Sequence, residues 1–173
     1  MAPQRIAPAA LRIDVRVAAP FRAAVRAAWL RAVARRALAA ESVAGPVQVG
    51  VVVTDDETVR GLNLRFRGLD EPTDVLSFGL SMAEEAPFAL PPEEAASLGE
   101  IVIAYPTALR QAEEAGRSVE AEVAHLLVHG LLHLLGYDHQ RPQDERAMRR
   151  REEEVLAALP VSVGPFERLH GGL

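Results

Sequence analysis

The chain has no cysteine, which excludes disulfide bonds and thiolate-bound zinc, so any metal must be held by nitrogen and oxygen. It has no lysine either: all 19 basic residues are arginine. A guanidinium makes paired contacts to phosphate, but in so alanine-rich a chain the exclusive use of arginine fits a compositional habit of the genome better. Aromatic residues make up 5% of the sequence, with one tryptophan, and no stacking platform for nucleic-acid bases can be named among so few. No apolar run approaches the roughly 18 residues of a membrane span. The N-terminus also lacks the uninterrupted apolar core of a secretory signal, which points to the cytoplasm and away from membranes. The net charge of −5 gives no global attraction for a polyanion, so a nucleic acid would have to be met by a local patch.

What is present fits one globular domain: 173 residues, 49% of them hydrophobic, with no internal repeat. The first forty residues are arginine-rich like a transit peptide, but Leu11, Ile13, Val15 and Val17 alternate with Arg12, Asp14 and Arg16, the period of a half-buried strand. A helix is expected over about 21–40, a strand over 47–53, and a helix capped by Asp55 or Asp56 that runs to about 66. Strands follow at 75–80 and 100–105, separated by the acidic, proline-containing stretch 81–97, which is expected to be a mobile surface loop. The rest predicts helices over about 106–115, 119–135 and 143–159. This order implies a single α+β domain, with a mixed sheet of about four strands covered by helices. Its domain proper is expected at 9–160, with loose tails at 1–8 and 161–173.

The residues HGLLHLLGYDH, 129–139, carry the chemistry. His129 and His133 are four apart, so a helix puts both imidazoles on one face, one turn apart. Gly136 suits the left-handed cap that ends a helix, which lets Tyr137, Asp138 and His139 turn back toward its flank and His139 complete a triad. Three imidazoles with no fourth protein ligand match catalytic zinc sites, which keep one coordination position open; structural sites are usually closed by four. Gly130 stands where the HExxH peptidases have their glutamate base, which argues against an ordinary zinc peptidase. His125 lies about 12 Å along the axis from His133, too far to share an ion, and suits an outer hydrogen-bonding role. Asp138 can orient an imidazole, act as a base or merely form the turn. The helix is apolar nearly all round, so the ligands ride on a central, buried helix at the rim of the core.

The histidine segment resembles the signature of the YbeY family of bacterial ribosomal RNA maturation factors. LNLRFRGLDEPTDVLSF, 62–78, is similar to that family's other characteristic stretch, and LGEIVIAYP, 98–106, to the strand between the two. The resemblance implies a metal-dependent, single-strand-specific endoribonuclease that matures ribosomal RNA, notably the small-subunit 3′ end, and takes part in ribosome quality control. It implies zinc on His129, His133 and His139, and it matches Arg67 to an arginine near the metal that engages RNA. A guanidinium there would offset charge building on the phosphorane-like transition state; the residue alone reads as an exposed helix-end arginine. The implied partners are single-stranded ribosomal RNA and the ribosome or its proteins.

Thr73, Asp74 and Ser77 fit a turn and strand start equally well, and Arg146, Arg149, Arg150 and Arg151, followed by Glu152, Glu153 and Glu154, read as a solvated, salt-bridged helix face. Three histidines also suit nickel, copper or cobalt. The attacking group is either water or the ribose 2′-hydroxyl. Two other functions compete: a ribosome-assembly factor whose metal is structural, and a metallohydrolase acting on peptides or small molecules.

Overall fold

A computed structural model describes residues 11–43, 46–79, 96–137 and 140–159. The tails expected at 1–8 and 161–173, and most of the acidic loop, lie outside these residues. The described elements are β1 (Leu11–Val17), α1 (Ala27–Ala40), β2 (Val47–Thr54), α2 (Asp56–Arg67), β3 (Val75–Phe78), β4 (Ala96–Ala104), α3 (Tyr105–Ala115), α4 (Val119–Leu134) and α5 (Pro142–Ala157).

The four strands form one mixed sheet in the order β1-β2-β4-β3. β1, β2 and β4 are parallel, with Val17 opposite Val53 and Val53 opposite Ile103, while β3 runs antiparallel to β4 with Val75 opposite Ile103. β2 is a near-continuous valine run because both its faces are covered, whereas β1 alternates as an edge strand with Ile13 and Val17 buried. Helices α1, α4 and α5 pack on one face around Val49, Val51, Val53, Ile101 and Ile103. Helix α2 covers the other, where Val59 and Leu62 meet Leu76, Phe78 and Val102. Among the described residues no helix is long and apolar enough to cross a membrane.

The strand expected at 75–80 ends at Phe78, and two element starts also differ from the sequence expectation. The first helix begins at Ala27, not near residue 21: Ala19–Phe21 forms a 3-10 turn around Pro20, and the chain then bends so that Val25 can be buried. β4 starts at Ala96, because it continues to pair with β2 at Val47 and Gln48 across a bulge, so Ala96 and Ser97 belong to the sheet rather than to a loop. Gly99 sits beside that bulge at φ +130°, and a β-carbon there would lie 1.9 Å from the Phe78 carbonyl oxygen, so no other residue fits.

Candidate metal centre and catalytic cleft

Helix α4 is fixed at both ends by its own sequence. Ser118 caps its start, accepting from the Ala121 amide at 3.1 Å. At its end the Tyr137 amide donates to the Leu132 carbonyl and the Gly136 amide to that of His133, both at 3.0 Å, with Gly136 at φ +103°. This is the Schellman arrangement, and it turns the chain back at Tyr137 as the glycine predicts. Asp138 and His139 themselves lie outside the described residues. The Tyr137 hydroxyl donates to Glu41 at 3.1 Å, and the same carboxylate accepts from Arg151, tying this turn to the end of α1 and to α5.

Gly130 accounts for the missing peptidase glutamate. A β-carbon there would lie 2.8 Å from Ile101 Cγ2 and 3.2 Å from Ser77 Oγ, so helix and sheet are in direct contact at this residue. The Ser77 hydroxyl donates to the Gly130 carbonyl at 3.4 Å across that contact. His129 and His133, on either side, have ring centroids 4.6 Å apart and line one cleft.

Glu152 of α5 is 7% exposed and reaches both His125 and His129. It accepts from His125 Nε2 at 3.1 Å and from His129 Nδ1. Burial pushes this carboxyl up, but the hydrogen bonds from His125 and His129 outweigh it and hold it well below the usual carboxylate range. An ionised carboxylate can only accept, so His129 carries its proton on Nδ1 and keeps Nε2 free for a ligand. Glu152 therefore does not belong to the solvated face the sequence suggested. A sequence signal for this exists: Met148, Glu152, Val155 and Leu156 form one buried stripe at helical spacing, with a charged residue inside it. The solvated reading holds for Arg149, which pairs with Glu145 at 3.0 Å, while Arg151 reaches across to Glu41 and the Ala40 carbonyl. His125 takes the outer role its spacing implied.

The cleft has a volume of about 590 Å³ and brings Arg67, Thr73, Asp74, Ser77 and Gln140 to the two histidines. Arg67 is the last residue of α2, where its charge suits the helix terminus, and its Nη2 donates to the Ser77 carbonyl at 3.4 Å. The loop that follows is held by buried Asn63, which donates to the Glu71 carbonyl at 3.0 Å, and by Asp74, which accepts from Gln111 at 3.2 Å. The Asp74 carbonyl also takes the Ala104 amide, so Thr73, Asp74 and Ser77 act in turn and strand geometry as well as lining the cleft.

Imidazole nitrogens on adjacent turns, one with its tautomer set by a buried carboxylate, suit a divalent transition ion. Among the described residues no three such side chains are grouped around one point. The third donor of the sequence triad is His139, which is not among them.

The family described as endoribonuclease YbeY matches residues 18–160. A relative named endoribonuclease YbeY from Roseiflexus sp. (strain RS-1) is 47% identical over 151 residues, covering 87% of this chain and 94% of its own. Another of that name, from Dehalococcoides mccartyi (strain ATCC BAA-2100), is 44% identical and covers 84% and 95%. A Thermotoga maritima protein solved in solution shares the fold, with a TM-score of 0.54 at 24% identity over 92% of this chain and 93% of that one.

Proposed function

The chain belongs to the endoribonuclease YbeY family, and from that membership we propose that it is a metal-dependent endoribonuclease that cuts single-stranded ribosomal RNA during maturation of the small-subunit 3′ end and in ribosome quality control, working in the cytoplasm beside the ribosome. The observation that carries this reading is the convergence of Arg67 with His129 and His133 on one cleft from two different helices. Imidazoles alone would suit many hydrolases; a guanidinium facing them suits a phosphodiester.

His129, His133 and His139 are the proposed donors, and zinc is the proposed ion on the family resemblance, although three imidazoles also suit other divalent transition ions. When bound, such an ion supplies Lewis-acid polarisation at the scissile phosphate. The chain's own residues do the rest. Glu152 fixes the His129 ring, so little reorganisation is needed on binding. Arg67, anchored at the Ser77 carbonyl, engages phosphate oxygens and stabilises the charge that grows on them. Asp138 is proposed either to orient a histidine ligand or to shuttle a proton.

Cleavage of a defined single-stranded RNA by purified protein, next to His133→Ala and Arg67→Ala prepared identically, tests this. Loss of at least about a hundredfold in rate is expected for each, the scale of removing a charged transition-state contact. Equal activity in all three would point to a contaminating ribonuclease and to an assembly factor. A 2′,3′-cyclic phosphate on the product would assign attack to the ribose hydroxyl, and a 3′-hydroxyl paired with a 5′-phosphate would assign it to water.

A further inference from the structure

Although the net charge is −5, residues 15–40 contain six arginines and no acid. All six, from Arg16 in β1 to Arg36 in α1, are exposed. The ion pairs among the described residues fall elsewhere, on Arg12, Arg60, Arg110, Arg117, Arg149 and Arg151. Arg16 has the buried Glu100 in reach but makes no hydrogen bond to it. Like charge concentrated in one exposed segment of an acidic protein, without an acidic residue in that segment, attracts an anion.

Two cavities beside these arginines narrow the choice of anion. One, of about 580 Å³, is lined by Arg16, Arg22 and Arg26 with Val15, Val17 and Val25. The other, of about 300 Å³, shares Val25 and Arg26 and is lined also by Trp29, Ala23 and Glu120. The small side chains of Ala23 and Ala24 leave room beside the indole. Guanidinium groups next to an aromatic surface match what a nucleic-acid single strand offers, phosphates to pair and bases to stack. Glu120 adds an acceptor for a base amine. An acidic protein would satisfy the arginines but leave the indole cavity unexplained.

We propose that α1 and the turn before it form a second RNA-binding surface, which holds a single strand outside the catalytic cleft. The choice of RNA rests on the endoribonuclease reading. β1 and β3 are opposite edges of the sheet, three strand spacings or about 14 Å apart. A strand that spans both must therefore extend at least a few nucleotides beyond the scissile bond, and the surface gives preference to substrates long enough to bridge that gap without touching the chemistry.

The test is fluorescence anisotropy with a long single-stranded RNA over a salt series, comparing wild type with the triple variant Arg26→Ala, Arg31→Ala, Arg35→Ala. These side chains are exposed and unpaired among the described residues, so the fold is not at stake. Affinity should fall at least about tenfold, and the slope of log K against log salt should flatten by about 2, from 0.7 per lost phosphate contact. The cleavage rate of an oligonucleotide short enough to occupy only the cleft should not change. Trp29→Ala should weaken binding roughly 5- to 150-fold and Trp29→Phe much less, because stacking needs an aromatic face. Unchanged affinity and slope in the triple variant would overturn the proposal, as would loss of binding to polyglutamate instead of RNA. If wild type cleaved nothing, the nuclease reading would fail while the anisotropy comparison still decided this one.

Discussion

Glu152 is a single carboxylate shared by two imidazoles, and its worth lies in which nitrogen it leaves free. Removing it does not remove a metal donor; it lets the His129 ring rotate and change tautomer. Outer hydrogen-bond partners of this kind typically contribute ten- to a hundredfold in metal affinity. Glu152→Ala should therefore weaken zinc binding by about that factor in a competition titration, while His125→Ala, which leaves the His129 contact in place, should weaken it far less. Equal affinity in Glu152→Ala and wild type would dismiss the orienting role. The residue escaped sequence reading because its partner lies 23 positions upstream on another helix. Three glutamates in a row look solvated until the helix phase is drawn through them. His129 and His133, by contrast, were legible at once, since four-residue spacing on a helix is local geometry.

At the scale of elements, α4 lies on the sheet with Gly130 against Ile101 and Ser77. Gly130→Ala must push the helix outward or distort Ile101, an overpacking change that costs about 1–3 kcal/mol. It should also lower metal affinity, since both described donors, His129 and His133, ride on that helix. The double variant Gly130→Ala, Ile101→Val should recover part of the loss, and urea denaturation of the two single variants and the double would show the coupling as non-additivity. Strict additivity would mean that the two elements do not press on each other there. Most elements could be read from the sequence, because the alternation in β1, the Asp55 cap of α2, whose carboxylate takes the Thr58 amide at 2.6 Å, and the Gly136 stop of α4 are all local signals. The late start of α1 and the early start of β4 were not legible. Burial of Val25 decides the first and pairing with β2 the second, and both are contacts with distant parts of the chain.

Over the whole molecule, stability should depend on pH through Glu100. It is fully buried on the α2 face of the sheet, and neither carboxyl oxygen has a hydrogen-bond partner among the described residues. Burial pushes the group up from 4.5 to about 7, with Arg16 pulling weakly the other way. Between those values the folded protein holds a proton that the unfolded chain has released. The contribution is thus complete below 4.5 and lost as pH rises through about 7, on the order of 3 kcal/mol in all. Glu152 acts in the opposite sense and at lower pH, where stability is lost as its carboxylate is protonated toward about 2. Urea midpoints should fall from roughly pH 5 to pH 8 in wild type and stay flatter in Glu100→Gln, which cannot ionise. Parallel curves for the two proteins would rule Glu100 out as the cause. A last consequence follows from α4 itself. Ten of its 16 residues are buried, and the half-buried donors His129 and His133 are interleaved with them. Core and catalyst are thus one element, so substitutions there that merely loosen packing will also register as lost activity. Neutral sequence drift is left to the outer faces of α3 and α5, and a mutational scan of this chain would find its most tolerant and least tolerant positions on neighbouring helices.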